Sequence, residues 1–206
     1  MTRLAFLLVY FIVTTLTAQT FNQAIATGKL ALTSNQTQKA LVVFKDLATA
    51  HTDNWLPNYY AAQTLITEAL INSQNQDLVK QKLVKAQTYL DKAHSLTSKN
   101  PEVIIMQAKL YLVYVVSNSA VYGRQYSGLI SRLYKDAYAI NPNNPRVVLG
   151  KAKWEIGAAK YFGNETSTFC ADLEKAVKLF DTFKQETNQH PSWGKQDAIL
   201  AVKNCK

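Results

Sequence analysis

Four kinds of position recur along this chain in one register, and that repeat limits its fold more than any other feature. A turn position falls at Trp55, Pro101, Pro145 and Pro191, and a small residue follows seven places later at Ala62, Ala108, Ala152 and Ala198. A bulky apolar residue precedes each turn, at Phe44, Leu90, Tyr134 and Phe180. Its partner stands four residues earlier, at Ala40, Ala86, Ile130 and Ala176. Every set has the spacings 46, 44 and 46. A fixed period of this length marks stacked supersecondary units. Here each unit reads as two helices. Residues three and four apart share a helix face, so Ala86, Leu90 and Ala93 form one stripe and Ile130, Tyr134 and Ala137 the next. Alanine lets neighbouring helices approach, and the large residue fills the gap beside it. A lone pair cannot bury its stripe, so the pairs must stack.

These residues resemble the tetratricopeptide repeat. Ala108 and Tyr111 match its first helix; Ala86, Leu90, Ala93, Tyr134 and Ala137 match its second; Asn141-Pro142-Asn143-Asn144 is similar to its turn. The period is longer than the family's usual 34 residues, and the excess is assigned to the segment between the two helices of a unit. The resemblance implies an all-α, right-handed solenoid of helical hairpins of the tetratricopeptide (TPR-like) kind. Three clear pairs are expected after a divergent N-terminal pair over 20–52, with a capping helix over about 193–204. The chain is also similar to secreted tetratricopeptide-like proteins of Bacteroidota. The segments that carry this are Tyr122-Gly123-Arg124-Gln125-Tyr126, Asn141 to Arg146, Pro191-Ser192-Trp193-Gly194-Lys195 and Asn204-Cys205-Lys206. That likeness implies a fold and an exported address, not a chemistry.

Residues 1–18 read as an export signal. Arg3 supplies the positive end, Leu4 to Val13 is almost wholly apolar, and Ala18 offers a small residue for cleavage before Gln19. The apolar run is short for a bilayer span, and no cysteine near the cleavage point offers a lipid anchor. The expectation is one domain over 19–206, periplasmic or secreted, with no stable membrane insertion once the signal is removed. Net charge is +9, and loss of Arg3 lowers it by one. That excess suits an acidic partner, or simply solubility. Nucleic acid is disfavoured, because no basic run or aromatic-basic motif is present. Cys170 and Cys205 are the two cysteines. They fall at the start of the last second helix and the end of the capping helix, which an antiparallel hairpin would bring to similar heights. A disulfide is expected, contributing about 3–4 kcal/mol in the chain-entropy model.

Chemistry is sparse. His51, His94 and His190 have no metal-ligand spacing, and no phosphate loop or nucleophile elbow appears. Neither an enzyme nor a bound cofactor or metal is expected. Two surfaces are candidates for recognition. On the concave face, Tyr59, Gln63, Lys109, Arg146 and Lys153 would form a basic strip with aromatic neighbours, suited to an extended peptide; solvated lysines are the plainer reading. On the edge of within-unit loops, Ser117–Gly128 reads as a long loop holding Tyr122, Arg124 and Tyr126, residue types that anchor interfaces or else pack the loop down. The leading expectation is a non-catalytic protein-interaction scaffold of the cell envelope that binds a peptide or protein. The alternative is a small-ligand carrier in which Tyr59, Tyr60 and Tyr111 line a pocket in the groove. An enclosed apolar cavity would favour the carrier, an open charged groove the peptide.

Overall fold

The structure, a computed structural model, describes residues 20–205. The expected signal at 1–18 lies outside them. The described chain is all-α, and no strand occurs in it. Among the described residues nine helices follow one another: α1, described over 20–33, then α2 Thr37–Ala50, α3 Trp55–Ile71, α4 Gln76–Leu96, α5 Pro101–Ser117, α6 Ser119–Ile140, α7 Pro145–Tyr161, α8 Cys170–Thr182 and α9 Lys195–Lys203. A short 3-10 turn, Ser167–Phe169, leads into α8. Consecutive helices pair as hairpins. First helices also touch the first helix of the next pair, α3 on α5 and α5 on α7.

Helices α3, α5 and α7 begin where the turn positions place them, for a local reason. Asn54, Asn100 and Asn144 each stand before the first turn, and each side-chain oxygen accepts the backbone N–H two residues on, at 3.0, 2.9 and 2.9 Å. Such caps satisfy a donor that the helix itself leaves unpaired, worth about 1 kcal/mol apiece. Pro101 and Pro145 occupy first-turn positions that need no N–H. The small and paired positions are the seams of the stack: Ala62, Ala108, Ala152, Ala198, Ala40, Ala86, Ile130 and Ala176 are fully buried. Three of the four bulky residues, Phe44, Tyr134 and Phe180, meet a glycine. A Cβ on Gly28 would lie 2.5 Å from the Phe44 ring, and one on Gly150 would lie 2.5 Å from the Tyr134 ring. Each ring lies where only a glycine backbone leaves room for it.

Two expectations about connections are corrected. Ser117–Gly128 is not a long loop, because α6 starts at Ser119. One residue makes the break. Asn118 gives its N–H to Tyr114 O at 3.1 Å, closing α5, while its side chain accepts from Val121 N at 3.2 Å, opening α6. Gly123 and Gly128 sit inside the helix without breaking it. The second correction concerns the last turn position: Pro191 starts no helix. Residues 183–194 between α8 and α9 have no helical structure, and α9 starts only after Gly194, which adopts the left-handed conformation at φ 109°.

That segment crosses the face made by the first helices and reaches the N-terminal pair. Lys29 Nζ donates to Asn188 O at 3.1 Å and His190 O at 3.0 Å. Tyr60 Oη donates to Gln189 O at 2.6 Å, and Trp193 Nε1 to Tyr59 Oη at 2.9 Å. The Arg146 guanidinium lies over the Phe183 ring. Cys170 and Cys205 are joined in a disulfide with Cα atoms 5.8 Å apart, as their positions at the ends of α8 and α9 led one to expect. What joins the two helices is this strap rather than a tight turn.

Candidate functional site

The concave-face residues are brought together, but not as an open binding surface. The strap already covers that face. Tyr59 and Tyr60 are fully buried beneath it, and Gln63 is buried. Arg146 is 3% exposed. Its guanidinium pairs with both carboxylate oxygens of Glu102, Nε at 2.9 Å from each, and Asn144 donates to the same carboxylate at 2.6 Å. Lys109 lies over the Trp193 ring at 5.0 Å, and Lys153 is held by Asp197 of α9 at 2.7 Å. Burial pushes the Lys109 amine below the usual lysine range, with Lys153 adding to the effect and Asp197 opposing it. Burial likewise pushes the Tyr59 phenol well up, with Glu102 adding to it. The basic strip is therefore corrected: one cation is spent on a buried carboxylate, one on an indole, one on a surface acid. The pocket expected from Tyr59, Tyr60 and Tyr111 is corrected too. Tyr59 and Tyr60 are sealed, and what remains between this face and the strap is a cavity of about 90 Å³ lined by Ile105, Lys109, Leu112, Tyr134 and Trp193 among others, and one of about 440 Å³ lined by Asn100, Glu102, Asn144, Arg146, Phe183 and His190 among others.

The loop-edge residues fare differently. Tyr122 and Tyr126 are four apart at the start of α6, hence on one face of it. Tyr111 and Tyr114, three apart at the end of α5, meet them across the Asn118 break. Tyr111 and Tyr126 stack at 4.7 Å with planes 8° apart. Tyr114 lies 5.3 Å from Tyr126 and 4.9 Å from Tyr122, and Tyr122 lies 5.9 Å from Tyr126. The four rings form one ladder, and all four are part-buried. Among the described residues none of the four hydroxyls has a hydrogen-bond partner. Burial raises the Tyr114 and Tyr126 phenols, and the neighbouring phenols raise them further. Arg124 is exposed on the same helix, and Val116 and Val121 stand exposed at the junction. Such a site offers aromatic edges and the outer faces of a ring stack, phenol oxygens free to ligate or hydrogen-bond, and a guanidinium for a carboxylate. Tyr114 was missed by the sequence reading. Its signal, a tyrosine pair three apart facing a pair four apart, becomes legible only once α6 is known to start at Ser119.

A third place lies at the opposite edge, where the turns before α3 and the strap meet. A cavity of about 610 Å³ is lined by Phe21, His51, Asp53, Trp55, Glu186 and His190 among others. His51 packs edge-on to Phe21 at 4.6 Å, and His190 edge-on to Trp55 at 5.5 Å. Thr187 and Glu186 hold the His190 ring, at 2.8 and 3.1 Å. Among the described residues no group of three or more His, Cys, Asp or Glu side chains is arranged to hold a bare metal ion, and no helix is long and apolar enough to cross a membrane.

No protein-family model matches the chain, and no curated protein matches it in sequence. Among solved structures it is similar to the HusA haemophore from Porphyromonas gingivalis, with a TM-score of 0.78 and 24% identity over 92% of each chain. The likeness shows a common all-helical fold along nearly the whole length of both proteins.

Proposed function

We propose that this chain is an exported carrier of a flat, largely apolar ligand of haem-like shape, bound on the tyrosine ladder of α5 and α6. The observation that carries the reading is the ladder itself: four stacked, part-buried phenols whose hydroxyls have no partner in the described fold. These hydroxyls reach solvent, and apolar ring surface with a few placed polar groups is what a planar ligand needs. The whole-length likeness to a haemophore, a binding protein and not an enzyme, supports a carrier over an interaction scaffold. The scaffold reading also loses one of its two surfaces, since the strap occupies the concave face a peptide would use. The stacked hairpins support placing the chain with the tetratricopeptide-like superfamily, at a longer period. The signal expected at 1–18 and the disulfide support a periplasmic or extracellular address.

In this reading the α5–α6 hairpin presents a rigid wall. Stacking on an outer ring of the ladder, such as Tyr122, would hold the ligand plane, and Arg124 would pair with a carboxylate at its rim. An iron chelate brings most of its own donors, so one tyrosine oxygen of the ladder would be enough to hold it, as tyrosine does for some haem irons. Because ligation releases the phenol proton, binding should tighten as pH rises.

The test is titration with haem, followed by absorbance. Tyr122→Ala/Tyr126→Ala should weaken binding roughly tenfold or more, since stacking on one aromatic ring is worth about 1 kcal/mol or more. Tyr122→Phe and Tyr126→Phe keep the stack and remove a donor, so the one that alters the spectrum identifies the ligating oxygen. His51→Ala/His190→Ala should leave binding unchanged; loss in that variant instead would move the site to the end cavity. No binding by the natural chain would end the haem-like reading.

A further inference from the structure

Twelve large apolar side chains stand exposed among the described residues, and seven of them gather at one edge: Leu30, Leu70, Ile71, Val116, Val121, Tyr161 and Phe162. The cause lies in the repeat. First helices α1, α3, α5 and α7 all end at this edge, so the last turns of four successive pairs come into line. Leu70 and Val116 share one register position, Ile71 and Tyr161 another. Tyr161 and Phe162 protrude furthest, 74% and 73% exposed, packed edge-on at 5.1 Å ahead of Gly163 in the left-handed conformation at φ 70°. A soluble chain usually scatters its exposed apolar residues singly. A row gathered at helix tips marks a contact surface.

We propose that this edge seats on a lipid surface. The row is made of protruding tips, and none of its members lines the three cavities described above. A protein partner seats its anchors in pockets, whereas a bilayer interface takes protruding aromatic and aliphatic tips, aromatics at headgroup depth above all. The charges suit the same occupant. Lys80, Arg124 and Lys160 stand exposed within about two turns of the tips, where long cationic side chains reach the phosphate layer while the tips enter below it. Lys39 is exposed there too, and Asp77 and Glu165 lie at the same edge, so the local excess is about two of the chain's +9. Attachment is thus by insertion rather than by attraction to anionic lipid. With no spanning helix among the described residues, the edge lies on the membrane rather than across it. This surface stands on its own observation, the row of tips, and borders the ladder at Val116, Val121 and Arg124.

The experiment is vesicle flotation with the chain starting at Gln19, which removes the apolar stretch Leu4 to Val13 as a confounding anchor. Vesicles of phosphatidylcholine alone should carry the protein, and raising salt should leave most of it bound. Tyr161→Ser/Phe162→Ser should lower the partition about tenfold or more, and Ile71→Ser/Val116→Ser should lower it independently. Each variant is checked for an intact Cys170–Cys205 bond and an unchanged helical spectrum, and Tyr161→Trp, which keeps an interfacial aromatic, should retain binding. Three results would overturn the proposal. One is no partition of the natural chain. Another is partition that the edge variants leave unchanged. The third is binding confined to vesicles containing phosphatidylglycerol and lost in salt, which would make the contact a general effect of net charge. An edge variant that loses a protein partner while the natural chain ignores vesicles would make the edge a protein interface instead.

Discussion

Arg146 shows how far a residue's role depends on what lies opposite it. In the sequence it follows a turn and reads as a groove cation; in the fold it is buried, with Glu102 one repeat back taking both ends of its charge. Nothing in either residue's own neighbourhood announces the pair, because it forms between the first turns of α5 and α7, 44 positions apart. Removing one partner of a buried pair strands the other's charge, at about 3–5 kcal/mol. Arg146→Met should therefore lower the unfolding free energy by that amount in a denaturant titration, and Glu102→Leu/Arg146→Met should recover a large part of it. The sealed tyrosines give a second signature. The Tyr59 and Tyr60 phenols are raised above 10.0, mainly by burial. A raised phenol contributes stability that is fully present below pH 10 and lost as pH climbs through the folded-state value. Unfolding free energy should fall as pH rises above 10, and Tyr60→Phe should flatten that fall.

At the scale of elements, the helix starts were legible and one helix boundary was not. Asn-capped starts are written locally, which is why Trp55, Pro101 and Pro145 open α3, α5 and α7 as the register says. The start of α6 was hidden by composition: Ser117–Gly128 holds Asn, three serines and two glycines, which read as loop. Tertiary packing of the four tyrosines overrides that weak preference. The seams between elements rest on close approach, and glycines separate the two cases cleanly. Gly150→Ala drives a methyl group into the Tyr134 ring of α6, so it should cost about 1–3 kcal/mol. Gly157 lies on the same helix with nothing within 4 Å of a Cβ. Gly157→Ala should be neutral or stabilise by up to about 1 kcal/mol through helix propensity. Thermal melts of the two variants side by side check the difference.

For the whole molecule, the repeat told the architecture and concealed the closure. Periodicity reports contacts between neighbours in sequence, and so the hairpins, their order and the disulfide between Cys170 and Cys205 could all be read. The strap contacts cannot be, because Lys29 meets Asn188 and His190 across 159 and 161 positions and recognises their backbone carbonyls, which carry no sequence signal. For the same reason half of the ladder was found and the groove was misjudged: Tyr122 and Tyr126 were visible as residue types, whereas the occupant of the concave face was not. The closure has a physical consequence. In an open stack each pair touches only its neighbours, and stability is nearly a sum over units that can fray separately. Here residues 183–194 tie the first pair to the last, so the ends cannot open independently. Lys29→Met/Tyr60→Phe removes three hydrogen bonds to the strap while leaving the hairpins intact. The expected outcome is a change in the shape of unfolding rather than only its midpoint. The natural chain should unfold in one transition, and the variant should show a lower denaturant slope or a separate early phase. Hydrogen exchange would locate that phase in residues 183–194 and in α1 and α2. A variant that still unfolds in one transition of unchanged slope would mean that the seams of Ala62, Ala108 and Ala152 alone carry the cooperativity, and that the strap merely covers the face.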